Sequence, residues 1–409
     1  MTSLTDIQMM DANDPLKDFR DRFDLPENEI YLDGNSLGAL PKETAPRLDD
    51  MVKREWGRGL IRSWNENDWI NMPGRLGAKI AHLIGAEANE VIASDSTSIN
   101  IFKALTACIQ LNSDRFVILS ETGNFPTDAY MMQGIAAMSG GKIEHRLVET
   151  SQIEDALNDD IAVLLLTHTH YKTGQLHDMA ALTKQAHAKG ILVIWDLSHS
   201  AGAMPVDLNN CNADFAVGCG YKYLNGGPGS PAFLFAASRH HDTVFPALSG
   251  WMGHAQPFEF SDEYTPASGI NRFQCGTPPI LGMASLECGL DLMLEADMSQ
   301  IRAKSRTLGQ IFIERVEACY DGFELASPRD ANQRGSQVSI RHENGYEIMQ
   351  ALIERGVIGD FRAPDILRFG FTPLYTRYED VWNAVETLSD ILKTGVWTQK
   401  KYAIRSAVT

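Results

Sequence analysis

The chain has 409 residues, of which 44% are hydrophobic and 22% are charged, a composition that excludes an intrinsically disordered chain or a collagen-like repeat. Acidic side chains outnumber basic ones, and the formal net charge is −17. The chain therefore lacks the overall positive charge typical of proteins that bind nucleic acids or anionic membranes. At roughly 150 residues per domain, the length predicts two or three domains.

The six cysteines are scattered along the chain and form no C-x-x-C pair. This spacing argues against a disulfide framework and against a zinc site. The longest apolar runs, near IAVLLL and ILVIW, are far shorter than a membrane span. The sequence therefore favours a cytoplasmic protein in a reducing compartment.

The middle of the chain alternates segments typical of strands with segments typical of helices. Continuous apolar strands between helices are typical of a mostly parallel sheet with helices on both faces. We therefore predict a large α/β domain over 51–285. Its strands are predicted at 91–94, 116–120, 161–167, 191–195, 214–219 and 232–237, and its clearest helices at 99–111 and 179–190.

From about residue 286 the pattern changes to two long helices, followed by alternating strands and helices. This pattern indicates a smaller α+β domain over 286–409. The first 50 residues are too short to fold alone and are predicted to pack on that smaller domain. The predicted fold class is thus α/β, with a large sheet domain and a smaller C-terminal domain.

Ligands of parallel α/β sheets bind at the carboxyl ends of the strands, so the residues after each predicted strand are candidates for chemistry. After the strand at 91–94, Thr97 and Ser98 open a helix, where hydroxyls and free backbone N–H groups suit a phosphate. An ordinary helix cap would have the same sequence. After the strand at 191–195, Asp196 could bind a metal, act as a general base, pair with a protonated ring nitrogen or cap a helix.

Lys222 lies between two tyrosines, just after the strand at 214–219 and before a Gly-rich run at 226–229. A lysine in this position can be desolvated and nucleophilic, and the glycines let the backbone approach a ligand closely. The order differs from that of a P-loop, in which the glycines precede the lysine. A phosphate site, a ring-nitrogen partner and a nucleophilic lysine together form the set that pyridoxal 5′-phosphate (PLP) requires.

Lys172 also follows a predicted strand, but it lacks the upstream Asp-x-x-His and the downstream glycines that accompany Lys222. We interpret Lys172 as a structural or supporting residue. In the same segment His168 and His170 alternate as a metal pair could. No carboxylate or cysteine nearby completes such a site, and we predict no bound metal.

The run from Tyr221 to Pro231, with Asp196-x-x-His199 upstream, resembles the class V, fold-type I PLP-dependent enzymes. More specific segments resemble the kynureninase family of that class and extend over nearly the whole chain. The resemblance implies the fold-type I architecture, PLP as the cofactor and a homodimer with shared active sites. The segments are YLDGNSLGALP (31–41), EWGRGLIRSW (55–64), NFPTD (124–128), SGWMGH (249–254), GTPPI (276–280) and RFGFTPLY (368–375).

The resemblance also implies roles for individual residues. Lys222 would carry the Schiff base, Asp196 would pair with the pyridinium nitrogen, and Tyr221 would act as acid and base. Arg368 would bind the substrate α-carboxylate through its planar fork. The other cofactor contacts would be Thr97, Ser98 and Tyr221 at the phosphate, Phe125 stacked on the ring, Asp128 and His199 in the polar shell, and Trp251 and Thr277, some of them from the other subunit. Trp64, Ser63 and Asn35 would line the substrate pocket.

Several of these residues could have ordinary structural roles when each is considered alone. Phe125 and Trp251 could be packing residues, and Arg368 could belong to a surface ion pair. The roles above therefore rest on the resemblance and not on residue type alone.

The reaction that the resemblance implies is hydrolysis of L-kynurenine to anthranilate and L-alanine. This reaction belongs to tryptophan catabolism and NAD biosynthesis. Animal members of the family carry a histidine in the segment that corresponds to 57–64, and this chain has none there. Its absence favours kynurenine over 3-hydroxykynurenine as the substrate.

Two alternatives stay open at this point. The first is another class V PLP enzyme, such as a cysteine desulfurase, a lyase or an aminotransferase. A desulfurase would need a catalytic cysteine in a mobile loop, and the sequence shows no such loop. The second is a PLP-dependent regulatory module, which would normally carry a basic DNA-binding extension, whereas this chain is acidic.

Overall fold

The computed structural model describes residues 3–405 of the chain. No helix among these residues is long and apolar enough to cross a membrane. The strands are β1 (Phe23–Asp24), β2 (Ile30–Tyr31), β3 (Leu40–Pro41), β4 (Val91–Ala93), β5 (Val117–Glu121), β6 (Glu144–Val148), β7 (Ile161–Thr167), β8 (Leu192–Asp196), β9 (Phe215–Cys219), β10 (Ala232–Ala236), β11 (Glu324–Leu325), β12 (Gln337–Arg341), β13 (Val357–Ile358), β14 (Asp360–Arg362) and β15 (Ile366–Gly370).

The α-helices lie between these strands and after the last of them, and a π-helix covers Met51–Gly59. They are α1 (Leu4–Ala12), α2 (Thr44–Asp50), α3 (Ser63–Glu66), α4 (Met72–Ile84), α5 (Thr97–Leu111), α6 (Pro126–Met138), α7 (Ile153–Ala156), α8 (Met179–Ala188), α9 (Ile280–Glu295), α10 (Met298–Cys319), α11 (Gly345–Glu354) and α12 (Tyr378–Thr394).

Within residues 3–405, a seven-stranded sheet has the order β4-β10-β9-β8-β7-β5-β6. The neighbours from β9 to β6 pair in parallel, whereas β10 pairs antiparallel with both β9 and β4. The predicted α/β fold with a mostly parallel sheet is therefore confirmed. The edge strand β6 escapes sequence prediction because Glu144, His145 and Arg146 leave no continuous apolar run.

Both faces of this sheet are covered, as the apolar strands predict. Val163 and Leu165 of β7 pack in one core together with α5, and Leu164 and Leu166 pack in the opposite core with α4 and α8. Alternate side chains of a strand point to opposite faces, so a fully apolar β7 serves two cores. The sheet is thereby a rigid support for the loops at its carboxyl edge.

A four-stranded antiparallel sheet of order β11-β12-β15-β14 organises the C-terminal part of the described chain. Its core includes Phe312 of α10, Phe369 of β15 and Leu388 of α12. This sheet brings β12 and β14 beside the large domain.

The structure divides the cores at a different point from the one expected from sequence. The boundary predicted at 286 falls inside α9, whose Met283 and Leu290 pack in the large-domain core. In α10, Ile301 still packs in that core, and Leu308 is the first α10 residue of the small-domain core. Because helical periodicity does not reveal which core a helix faces, we now propose a boundary within α10, between Ile301 and Leu308.

The N-terminal 50 residues contact both domains and not the smaller one alone. Ile7 and Leu32 pack in the small-domain core, whereas Leu16, Phe23 and Ala39 pack in the large one. We therefore propose that this segment joins the two domains.

Candidate active site

A cavity of about 150 Å³ lies at the carboxyl ends of the central strands. β4 also ends here, because β4 and β9 both run antiparallel to β10 and so share one direction. The cavity contains every cofactor contact proposed from the sequence except Trp251 and Thr277. Its lining residues are Ser96, Thr97, Ser98, Phe125, Thr127, Asp128, Thr167, Tyr171, Asp196, Ser198, His199, Tyr221 and Lys222.

Lys222 presents a buried amine to this cavity, and its Nζ lies 2.9 Å from Nε2 of His199. The Nζ atom is also 5.8 Å from the ring centre of Phe125 and 5.7 Å from that of Tyr221. Burial, followed by the charge of Lys222, holds the pKa of His199 well below its usual range. His199 is therefore neutral at physiological pH and can accept a hydrogen bond from the lysine.

Asp196 is the last residue of β8 and is buried. Its Oδ1 accepts a hydrogen bond from the backbone N–H of Ser198 at 2.7 Å. Burial raises the pKa of Asp196. A protonated ring nitrogen beside this carboxylate would offset the cost of burying its negative charge.

Asp128 is a second buried carboxylate in the cavity. Its Oδ2 accepts hydrogen bonds from Asn124 Nδ2 and Thr167 Oγ1, both at 3.2 Å. Its Oδ1 is buried and has no hydrogen-bond partner among the described residues. Burial, followed by the charge of Asp196, raises the pKa of Asp128. The charge of Lys222 offsets that of the two carboxyl groups only in part, and the unpartnered Oδ1 leaves a place for a cationic ligand.

The other end of the cavity is the N-terminus of α5, which begins at Thr97. The first N–H groups of a helix have no intrahelical acceptor, and Thr97 and Ser98 add hydroxyls to the same cavity. Such a helix end stabilises a phosphate group. Behind it, the buried Lys103 Nζ donates to Asp95 Oδ2 at 2.5 Å and to the carbonyl of Phe273 at 2.6 Å, which anchors the loop before the helix.

Phe125 is not a core residue, because 41% of it is exposed. Its ring contacts Tyr171 edge-on, with the ring centres 5.1 Å apart. An exposed aromatic face in a polar cavity suits a planar ring stacked on it. The aromatic face, the buried carboxylates, the buried amine and the helix N-terminus together fit PLP.

Arg368 is buried and belongs to an internal ion pair, not to a surface one. Its Nε donates to Asp360 Oδ1 at 2.8 Å, and its Nη2 donates to Asp360 Oδ2 and to Ser36 Oγ, the latter at 2.8 Å. Its Nη1 donates to the backbone carbonyl of Tyr171 at 2.7 Å. Because guanidinium carries five N–H groups, one hydrogen on Nη1 remains for a ligand. Binding of a substrate carboxylate by Arg368 stays a prediction.

None of the proposed substrate contacts lines the cavity of this chain, although Arg368 contacts the lining residue Tyr171. Ser63 is buried, and its hydroxyl donates to the carbonyl of Glu55 at 2.5 Å, so the structure gives it a structural contact instead. Trp64 packs edge-on against Trp69 at 6.0 Å. Asn35 is buried beside Gln337, which it contacts at 3.5 Å. The contact of Ser63 lies within the segment 55–64, and that of Trp64 is with the nearby Trp69.

Trp251 and Thr277 are exposed and lie outside the cavity. Trp251 contacts Phe258 edge-on at 5.8 Å. Neither residue lines the cavity of its own chain.

Several residues at the site were not predicted from sequence. Tyr171 lies beyond the carboxyl end of β7, so the rule that identified Asp196 could have found it. Asp360 and Gln337 come from the small domain, and no local motif links them to the cavity.

His168, for which the sequence predicted no metal, is buried, and its Nδ1 has no hydrogen-bond partner among the described residues. Burial lowers the pKa of His168 to about 4. Between pH 6.5 and 4 this histidine is protonated in the unfolded chain and neutral in the folded chain. Acid therefore lowers the free energy of unfolding by up to about 3 kcal/mol through His168.

We expect His168→Asn to lose less apoprotein stability than the wild type between pH 7.5 and 4.5, as measured by urea unfolding. An unchanged loss would show that His168 does not resist protonation.

Comparison with known proteins adds two family matches. Residues 301–388 match the kynureninase C-terminal domain, and residues 59–214 match the DegT/DnrJ/EryC1/StrS aminotransferase family.

Solved structures share the fold of about nine tenths of the chain. A cysteine desulfurase from Thermococcus onnurineus NA1 has a TM-score of 0.78 at 20% identity, over 92% of this chain and 98% of that chain. A C-DES variant, with glycine covalently linked to its PLP cofactor, has a TM-score of 0.78 at 18% identity, over 91% of this chain and 99% of that chain. Identities this low show the shared fold alone.

Curated relatives are much more similar in sequence. The kynureninase of Burkholderia mallei (strain ATCC 23344) is 52% identical over 407 residues, which cover 98% of each chain. The kynureninase of Pseudomonas fluorescens is 49% identical over 416 residues, which cover 100% of each chain. Because these relatives share about half of its residues along nearly its whole length, this chain belongs to the kynureninase family.

Proposed function

We propose that this chain uses PLP to hydrolyse L-kynurenine to anthranilate and L-alanine, by cleaving the bond between Cβ and the side-chain carbonyl carbon. One observation carries the proposal: the buried amine of Lys222 shares a cavity with the carboxylate of Asp196, at the carboxyl edge of the sheet. The site supports PLP binding, and the similarity to the kynureninases named above supports kynurenine as the substrate.

PLP, when bound, supplies an electron sink for negative charge on substrate carbon atoms. Lys222 would hold it covalently, and Asp196 would keep its ring nitrogen charged. Phe125 would cover the ring face. The N-terminus of α5, with Thr97 and Ser98, would bind the phosphate.

Lys222 is the proposed base that removes the proton from the substrate Cα. Its amine lies next to the neutral His199, which can accept one N–H and so direct the nitrogen lone pair. An amine in a buried cavity is also less hydrated than one in water, which favours proton transfer to and from carbon.

Tyr221 is the proposed acid and base for the later proton transfers, which include protonation of Cβ when alanine is released. The neighbouring Cys219 and burial raise the pKa of Tyr221, so its hydroxyl keeps the proton at neutral pH. A phenol that keeps its proton can donate it and then recover it from water.

Arg368 is the proposed partner of the substrate α-carboxylate. Asp360, Ser36 and the carbonyl of Tyr171 accept from the other N–H groups of the guanidinium, so one hydrogen on Nη1 is left for a ligand. These contacts fix the plane of the fork before a substrate arrives, which lowers the entropy lost on binding.

A cysteine desulfurase activity has less support. The only cysteine after residue 288 is Cys319, and it ends the helix α10, where its Sγ donates to the carbonyl of Val316. A thiol held at a helix end does not match a catalytic cysteine in a mobile loop.

The experiment that tests this function compares kcat/KM for L-kynurenine, 3-hydroxykynurenine and L-cysteine with purified, PLP-loaded protein. We expect the highest kcat/KM for kynurenine, measured by the fluorescence of the anthranilate formed. We expect no sulfur release from cysteine. Sulfur release without anthranilate would overturn the proposal in favour of a desulfurase.

We further propose a cytoplasmic homodimer that acts in tryptophan catabolism and NAD biosynthesis. The six unpaired cysteines are typical of a reducing compartment. Trp251, Phe258 and Phe260 form an exposed apolar patch, in which Phe258 is 62% exposed and Phe260 76%. Exposed apolar patches of this kind are typical of interfaces between subunits.

Shared active sites predict complementation between two inactive variants. If Trp251 acts in the site of the other subunit, a dimer of one Lys222→Met chain and one Trp251→Ala chain contains one complete site. Random exchange of subunits should then restore about one quarter of wild-type activity. Activity that stays at the level of the separate variants would show that Trp251 acts within its own chain or not at all.

A further inference from the structure

Gln337 connects the small domain to the pair formed by His199 and Lys222. It lies in β12 and is 1% exposed. Its Oε1 lies 3.1 Å from Nδ1 of His199, and its Nε2 donates to the backbone carbonyl of Tyr171 at 2.9 Å. No role at the site was foreseen for this residue from its sequence context.

The orientation of the Gln337 amide follows from its partners. The carbonyl oxygen of Tyr171 can only accept, so the amide nitrogen must face it. The amide oxygen must then face His199, which makes Nδ1 of His199 the donor in that bond. Because burial keeps His199 neutral, its single ring proton resides on Nδ1 and leaves a lone pair on Nε2.

That lone pair faces the amine of Lys222, 2.9 Å away. The hydrogen bonds therefore run in one direction, from Lys222 Nζ to His199 Nε2, from His199 Nδ1 to Gln337 Oε1, and from Gln337 Nε2 to the carbonyl of Tyr171. The carbonyl of Tyr171 also accepts from Nη1 of Arg368 at 2.7 Å. The proposed carboxylate partner and the proposed base are thus joined through one glutamine.

The surrounding chain holds the Gln337 side chain in this position. Gly174 has φ +71°, and a Cβ there would lie 2.8 Å from Cγ of Gln337. The buried side chain of Asn35 packs against Oε1 of Gln337 from another side. A buried glutamine with partners on both ends of its amide and a glycine against its stem has little freedom to turn.

We propose that Gln337 is a positioning residue that fixes His199 in the Nδ1–H tautomer, so that Nε2 accepts from the amine of Lys222 and, when that amine is neutral, its lone pair is directed towards the substrate. The benefit to the reaction rests on the proposed function. The tautomer itself is a property of the protein without substrate or cofactor.

The direct test is nitrogen-15 NMR of histidine-labelled apoprotein, with the His199 signal assigned by its loss in His199→Phe. We expect the Nδ1–H tautomer in the wild type and in Gln337→Glu, whose carboxylate still accepts from Nδ1. In Gln337→Met, which offers no acceptor, we expect the Nε2–H form to become populated. Gln350→Met, the same change in α11 of the small domain, should leave the wild-type tautomer.

Kinetics of the PLP-loaded proteins provide the second readout. For Gln337→Met we expect kcat to fall by about 10- to 100-fold, as for other partners that orient a functional histidine, while KM changes little. Gln337→Glu should recover part of kcat, and Gln350→Met should match the wild type.

The outcomes separate the two proposals. An Nε2–H tautomer in the wild type, or an unchanged tautomer and kcat in Gln337→Met, would overturn the role of Gln337. Absence of anthranilate from the wild type would instead contradict the proposed function and leave the tautomer result intact.

Discussion

Replacement of Lys222 with methionine should remove the covalent bond to PLP and lower kcat by about four orders of magnitude or more. The amine of Lys222 is the group in the cavity that can both bind the cofactor aldehyde and take a proton from carbon. Methionine has a similar length and no basic nitrogen, so the loss would follow from chemistry and not from packing. The measurement is the visible absorbance of lysine-bound PLP, together with anthranilate formation.

Lys172→Met is the matched control for this prediction. Lys172 also follows the end of a central strand, but its Nζ donates to the carbonyl of Ala363 at 3.3 Å and it does not line the cavity. We expect Lys172→Met to keep the absorbance band. A band that survives in Lys222→Met and vanishes in Lys172→Met would reassign the cofactor lysine.

Replacement of Asp196 with asparagine should lower kcat by about 100- to 1,000-fold, the size typical of losing one preorganised electrostatic partner. Asparagine can still accept from the backbone N–H of Ser198, so the loop geometry is retained. It cannot carry the negative charge that holds a proton on the pyridine nitrogen. Steady-state turnover of kynurenine and PLP affinity are the measurements.

The same variant should behave differently in the apoprotein. Since burial raises the pKa of Asp196, the folded state holds its proton more tightly than the unfolded state. Asp196 therefore makes its full contribution to the free energy of unfolding at a pH below its pKa in the unfolded chain. This contribution is lost as the pH rises through its pKa in the folded chain. Asp196→Asn apoprotein should be at least as stable as the wild type at pH 8. Lower stability together with normal turnover would show that Asp196 has a structural role only.

The residues that sequence predicted best are those that follow a central strand. Asp196 and Lys222 lie in the cavity because parallel strands bring their carboxyl ends to one edge, and apolar strands are readable from the sequence. Thr97 and Ser98 lie in the cavity for the same reason, because they follow the end of β4. The antiparallel direction of β10, which lies between β4 and β9, was not predicted.

Residues from the small domain could not be predicted in this way. Gln337 contacts the lining residues His199 and Tyr171, and Asp360 pairs with Arg368, through the docking of a second sheet. These contacts depend on tertiary packing between segments far apart in sequence. The motif at 31–41 indicated the family but not that Ser36 would contact Arg368. The contact of Ser63 is local by contrast, but it depends on Glu55 in a π-helix, a rare element that the sequence pattern did not predict.

The proposed hydrolysis can be tested directly by product analysis of L-kynurenine turnover in water enriched in oxygen-18. Mass spectrometry should find equal amounts of alanine and anthranilate, with one oxygen-18 in the anthranilate carboxyl group, because water adds to the carbonyl carbon during hydrolysis. Conversion of kynurenine to its 2-oxo acid, without anthranilate, would indicate aminotransferase chemistry at the same lysine. That result would contradict the central claim that this site hydrolyses a carbon–carbon bond.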